Sequence, residues 1–318
     1  MSKLIDVIPP EILQKHIEAS AEEASRGCRH NEGGPFGAVI VDKEGKEIAR
    51  GHNMVLATND PSAHAEITAI RNAASSLKRI DLSGFLLVTS CEPCPMCLSA
   101  ICEAKIGEIL YGATRGDAAN INFSDDDIYE IMKKYRMDKP EVKGDWVRVK
   151  RSGEIKKEMV RKFGDKLWST FGIQIEDTLD NIAIIEKEDK LVAVGFDKID
   201  RKKDPTAHAA ISAIQYATAT WEGASYEEWK NGFDLTGFDM YLNYTPCPLC
   251  FAAIHWARIS NVYCGMEPEL QKGADFSKVL ATIRDDENMS LIEKHQLGRT
   301  ACLVPFREWE KRTNKTTY

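Results

Sequence analysis

The chain has 318 residues, 43% of them hydrophobic and 29% charged, with a formal net charge of -7. That length is a prior for two domains, each able to bury a core, and the acidic balance argues against attraction of the whole protein to phosphate backbones. No run approaches the roughly 18 apolar residues of a membrane span, and the start lacks the apolar stretch and small-residue cleavage site of a secretory leader. Nine cysteines, four of them in two C-x-x-C pairs, suit metal binding in a reducing compartment better than a disulfide framework, so a cytoplasmic location is expected.

Pro9 and Pro10 precede an amphipathic helix expected over about residues 12–26. In "PFGAVIVDKEGKEIARGHN", apolar runs flank Asp42-Lys43-Glu44-Gly45, a hairpin signal. The alanines and spaced isoleucines of "DPSAHAEITAIRNAASSL" read as a helix. "GFLLVTSCEPC" reads as a buried strand running into a turn, "PMCLSAICEAKI" as a helix and "GEILYGAT" as a strand. Strands alternating with helices predict an α/β three-layer sandwich with a mixed sheet. Residues 133–166 are locally basic, with "KRSGEIKKEMVRK" inside them, which reads first as a solvated helix face or linker and second as a nucleic-acid footprint. Residues 147–180 are charged and irregular in pattern and read as a linker with some helix.

The same order then returns without a clear first helix. "NIAIIEKEDKLVAVGFDK" is a hairpin, "AHAAISAIQYATATW" a helix, "GFDMYLNYTPC" a strand, "PLCFAAIHWARI" a helix and "SNVYCGM" a strand. "DPTAHAAISAI" from Asp204 repeats "DPSAHAEITAI" from Asp60, so the chain is a tandem repeat. His64 and His208 are 144 positions apart and Cys94 and Cys247 are 153 apart; the nine extra residues fall near "WEGASYEEWKNG", read as a surface loop. The expected division is a catalytic unit over 1–146, a linker over 147–180 and a second unit over 181–318.

Three ligand candidates stand in the first unit: His64, Cys94 and Cys97. Zinc takes tetrahedral nitrogen and sulfur ligands, and a catalytic zinc keeps one position for water. Cys94 and Cys97, three apart in a first turn, share a helix face, Pro93 suits a helix start, and a helix N-terminus favours thiolates. Positions i and i+2 point apart in mid-helix, so His64 and Glu66 must both lie at the N-terminal lip of theirs. A lone C-x-x-C fits a structural zinc or redox pair equally well, and a lone H-x-E carries little; together, as H-A-E followed by P-C-x-x-C, they match the zinc deaminase signature.

On "GGPFGAVIV", "NDPSAHAEITAIR", "TSCEPCPMC", "GDAANINFSDDDIYEIM" and "PFREWEKRTNKTTY", the chain resembles the cytidine deaminase superfamily and, within it, the guanine deaminase branch. The resemblance implies a zinc-dependent hydrolytic deaminase acting on an amine-bearing ring, with guanine converted to xanthine and ammonia. It implies Glu66 as the proton carrier, Asn53 as a base contact, Phe36 as a pocket wall and Asp125 in both the catalytic and substrate-reading sets. In the second unit His208, Cys247 and Cys250 preserve the ligands, but Ala210 replaces the glutamate, Asp197 stands at the place of Asn53, and Thr245 at that of Glu92. That unit reads as inactive, with a second, structural zinc. The ending "NKTTY" resembles the tail that caps a partner's site, which implies two sandwiches packed as an intrachain pseudo-dimer with Tyr318 over the first zinc. Further homo-oligomerisation stays open.

One departure bears on substrate. Related guanine deaminases carry "IYWAR" after the second zinc cysteine, whereas the first unit has "ICEAK" and the second "IHWAR", with His255 and Trp256. The active pocket is therefore expected to differ from a guanine pocket, and another aminopurine or a nucleoside stays open. Editing of transfer-RNA adenosine and a non-enzymatic zinc-stabilised interaction module are the alternatives. The expected partner is a small nucleobase, with neither nucleic acid nor membrane.

Overall fold

The computed structural model describes residues 3–134, 141–143, 148–151, 154–174, 181–220, 233–265, 276–284 and 292–313. The first half contains α1 (Leu4–Val7), α2 (Pro10–Arg29), β1 (Gly37–Val41), β2 (Glu47–His52), α3 (Val55–Thr58), α4 (Ala65–Leu77), β3 (Leu86–Cys91), α5 (Pro95–Glu103), β4 (Glu108–Ala113), α6 (Arg115–Ala119) and α7 (Asp126–Lys134). Next come β5 (Glu141–Lys143), β6 (Arg148–Arg151) and α8 (Ile155–Phe171). The second half has β7 (Ile182–Lys187), β8 (Lys190–Phe196), α9 (Ile199–Lys202), α10 (Ala209–Thr220), β9 (Asp239–Leu242), α11 (Pro248–Trp256) and β10 (Asn261–Cys264), followed by α12 (Phe276–Ile283), β11 (Glu293–Gln296) and α13 (Arg299–Glu310).

Two mixed sheets result, ordered β11-β4-β3-β1-β2 and β5-β6-β10-β9-β7-β8. In the first, β1 runs antiparallel to β2 and β3, and β3 parallel to β4. In the second, β7, β8, β9 and β10 repeat that pattern, and each hairpin shifts register at a matching place, between Ile40 and Val41 and between Ile185 and Glu186. The repeat seen in the letters is therefore a repeat of topology down to a β-bulge.

Each sheet is covered by helices on both faces. α4 and α5 line the inner face of the first sheet, α10 and α11 that of the second, and α5 packs directly on α11. Those helices are apolar nearly all round, with Leu98, Ile101, Leu249, Phe251 and Ile254 fully buried, as helices enclosed on all sides must be. One apolar cluster joins both inner faces, so the halves share a core. The expected α/β class, with two three-layer sandwiches and mixed sheets packed against each other, is the architecture found.

The division of the sheets does not follow the expected boundaries at 146 and 180. β6 lies parallel to β10, with Arg148 opposite Asn261, and so joins the second sheet. β11 lies parallel to β4, with Glu293 opposite Glu108, and so joins the first. α13 follows β11 onto the first half, where Cys302, Phe306 and Trp309 enter the cluster beneath α2. Gly112 permits this contact, since a Cβ there would stand 2.1 Å from the Cys302 sulfur. Strand pairing between segments distant in sequence leaves no local trace, which is why the exchange is invisible in the letters.

Half of the segment read as a linker is α8, which covers the outer face of the second sheet as α2 covers that of the first. Ile155, Met159, Phe163 and Leu167 recur every four residues and bury against Ile182, Ile184 and Tyr241. The stripe is narrow, with Val160 beside it, and is flanked by Lys156, Lys157, Glu158 and Arg161, so the charges dominate the local composition. Lys162 is drawn inward to Glu186 and to the Tyr241 hydroxyl, 3.2 Å away. The "WEGASYEEWKNG" insertion lies outside the described residues.

Charged groups fasten the halves. Arg71 on α4 reaches Asp60 at 3.1 Å, Asp204 at 3.5 Å and the Thr206 hydroxyl at 3.0 Å, while Gln215 on α10 donates to Asp60 at 2.8 Å. Arg299 of α13 forks onto Asp117, which holds that carboxyl down at about 2. A carboxyl ordinarily near 3.9 and depressed on folding contributes stability that is complete above about pH 4 and is lost as pH falls toward 2. The urea midpoint of Arg299→Met should thus lie below that of the native protein at pH 6, with a narrower gap at pH 3; a gap that widens on acidification contradicts the pairing.

Candidate active site

Two helix starts converge at one end of the first half. His64 is the N-cap of α4, with extended backbone (φ -66°, ψ 162°), and Glu66 lies in its first turn. Cys94 is the N-cap of α5, Pro95 is its first residue, and Cys97 is in the first turn. Proline fits there because the first helical N–H has no partner to lose. The Nδ1 of His64 lies 3.5 Å from each sulfur, Cys94 and Cys97. Tetrahedral zinc, with bonds near 2.3 Å to sulfur and 2.0 Å to nitrogen, spaces such ligand atoms about 3.6 Å apart. The three donors thus fit a zinc ion in type and in spacing, and they form one of two His/Cys/Cys groups among the described residues.

Glu66 is 5% exposed. One carboxylate oxygen accepts from the Thr89 hydroxyl at 2.9 Å, and the other lies 3.3 Å from the Cys97 sulfur. Burial, reinforced by the nearby Cys94 sulfur, pushes its pKa up. A carboxyl so placed takes up and releases protons more readily near neutrality than an exposed one.

A cleft of about 530 Å³, open mouth included, adjoins these groups, within the ordinary range for small-molecule sites of about 300–1,000 Å³. Asn53 and Asp125 line it, as do Phe36 and Phe123, whose rings meet edge-on at 5.1 Å. Asn53, just past β2, is buried; its backbone N–H donates to Phe36 at 3.0 Å and its side-chain oxygen accepts from Val55 at 3.2 Å. Next to it His52 is wedged between Glu32, 2.8 Å away, and Glu23, 3.3 Å away, which anchors the end of β2. Asp125 accepts from Arg115 Nε at 2.9 Å, and the Arg115 guanidinium lies over the Tyr129 ring, 3.4 Å from its centroid. Burial raises the Asp125 carboxyl to about 7, helped by Cys94 and opposed by Arg115.

The model of the cytidine and deoxycytidylate deaminase zinc-binding region matches residues 10–113 and 181–266. The chain belongs to this family. It is similar to a guanine deaminase of Bacillus subtilis, with 50% identity over 122 residues, which cover 38% of this chain and 75% of that protein. It is similar to a tRNA-specific adenosine deaminase of Haemophilus influenzae, with 40% identity over 80 residues, 25% of this chain and 46% of that one. The crystal structure of guanine deaminase from Bacillus subtilis aligns with 45% identity and a TM-score of 0.36, covering 40% of this chain and 76% of that one. The family match and the likeness in sequence to a guanine deaminase make the protein a zinc-dependent hydrolytic deaminase. Among the described residues no helix is long and apolar enough to cross a membrane.

The fold also bears on the "ICEAK" departure. Trp256, on α11 of the second half, lines the first-half cleft with its ring 5.1 Å from His64. Glu103 occupies the matching place on α5 and sits close enough to the second cluster for Cys247 to help burial raise its carboxyl to about 7. The two helices cross at the shared core, so this position points into the opposite half's site. The aromatic of the first-half pocket is therefore supplied by the second repeat, where "IHWAR" carries it. The first-half letters do not single out Arg115, Phe123 or Thr89 as site residues, although Phe123 lies within "GDAANINFSDDDIYEIM" and Arg115 immediately precedes it. Tyr318 lies outside the described residues.

Trp256→Ala should raise the KM of the first-half site on the order of ten-fold by removing an aromatic wall, with metal content unchanged. An unaltered KM in that variant would place the ring outside the binding region.

Proposed function

We propose that the first half deaminates a free aminopurine, with guanine as the foremost substrate, and that His64, Cys94 and Cys97 hold the zinc ion for this reaction. The observation that carries the reading is the placement of Asp125, a carboxylate held by Arg115 in the same cleft as Glu66. A carboxylate accepts two neighbouring N–H groups, which is what the N1 and 2-amino edge of guanine presents. The likeness to a guanine deaminase over three quarters of that protein supports the same choice. Phe36, Phe123 and Trp256 supply apolar walls for a flat ring, and the buried Asn53 supplies polar contact at its edge.

Bound zinc lowers the pKa of its water to about 7. In this reading Glu66 takes the proton that the water loses, passes it to a ring nitrogen, and delivers the next to the departing amine. Thr89 keeps the carboxylate of Glu66 in place while it does so. One water is consumed, a carbonyl replaces the amine, and ammonia leaves. The second half contributes no proton carrier, because Ala210 has none.

Glu66→Gln should keep its metal and lose about 10²–10⁴-fold in turnover; native-like turnover would refute the assignment. Ammonia release should be fastest with guanine in a panel that includes adenine, guanosine and transfer RNA. Salt-sensitive turnover of transfer RNA exceeding that of guanine would replace this reading by the RNA one.

A further inference from the structure

The second His/Cys/Cys group matches the first in spacing, with His208 Nδ1 3.4 Å from each sulfur, Cys247 and Cys250. Its surroundings differ in a coordinated way. Ala210 removes the carboxylate of Glu66, and Tyr244 stands where the first half has Cys91. Cys91 lines the open cleft of the first half. Tyr244 instead fills the corresponding space and is 3% exposed. Its phenol oxygen lies 3.9 Å from the Cys250 sulfur and accepts the backbone N–H of Ala210 at 3.1 Å. The base-contact position is also lost: Asp197, at the place of Asn53, turns back to accept from Ala209 N at 2.7 Å.

A tetrahedral zinc bound by sulfur and oxygen separates those two atoms by about 3.5 Å. The phenol oxygen is already close to that spacing from one sulfur. It is also fed by an N–H at the start of α10, which favours an anionic oxygen. In the first half the matching space is open to solvent and substrate; here it holds a side-chain oxygen supplied by the chain. We propose that His208, Cys247 and Cys250 bind a zinc ion whose fourth position is taken by the Tyr244 phenol oxygen, giving a closed site with no place for water. The phenol gives up its proton on binding, as the two thiols do. Loss of the glutamate and gain of the tyrosine are then one change: the side chain that would serve a water has gone, and the water's place is filled. The inference rests on the family's zinc chemistry and stands apart from the choice of guanine.

Zinc content and a tyrosinate absorption band test it on the intact protein. The native chain should carry zinc at both clusters, and reloading chelator-treated protein with zinc at neutral pH should generate the ultraviolet band of an ionised tyrosine. Tyr244→Phe should lose that band, bind the second zinc on the order of 10-fold more weakly or worse, and leave first-half turnover unchanged. With cobalt(II) in both sites, azide should perturb an additional centre only in the variant, because only there is a position free. Zinc at a single cluster in metal-replete native protein overturns the proposal. So does native reloading without the tyrosinate band, a measurement that needs no variant to fold.

Discussion

The contact between α5 and α11 is the constraint on which the molecule depends. Each helix presents its first turn to its own ligand cluster and its last turn to the opposite half. The contact is made of fully buried aliphatic and aromatic side chains, so its energy is that of a domain core and not of a polar surface. Because the helices cross there, Trp256 is carried to the first cluster and Glu103 to the second. The halves cannot be described as an enzyme and an appendage; the second half forms part of the wall of the first half's cleft.

Much of this was legible in the letters. Alternating strand and helix patterns, the repeated "DPxAHA" segments and the paired C-x-x-C motifs identify two α/β units and two His/Cys/Cys clusters, because each signal is local. Three features were not. The apolar stripe of α8 was hidden by the lysines around it. The crossing of β6 and β11 depends on pairing between segments more than a hundred residues apart. The entry of Trp256 into the first-half cleft has no signal in the letters, because spacing along a chain says nothing about which side of a two-fold contact a helix end will reach. Two of these misses concern tertiary placement, and none concerns residue chemistry.

The two clusters show how one trio of side chains can be set in different surroundings. In the first, a buried carboxylate and an aromatic cleft leave one side of the cluster accessible. In the second, methyl replaces carboxylate, and a phenol occupies the space. The ligands are the same three residue types at nearly the same distances, so the difference lies in the residues just outside them. Asymmetry of the same kind appears at the seam, where the single guanidinium of Arg71 serves Asp60 and Asp204 while Gln215 stands at its counterpart's position.

The crossing of β11 and α13 also sets the order of assembly during synthesis. Domains commonly fold as they leave the ribosome, the N-terminal one first. Here the edge strand beside β4, and the helix whose Phe306 packs on the ring of Phe36 at 5.6 Å, are translated some 180 residues after the strand they complete. The half made earliest must wait as an unfinished sheet, with one edge bare, until the ribosome has delivered nearly all of the other. A stalled or truncated translation product would therefore contain every first-half ligand and still lack a finished pocket.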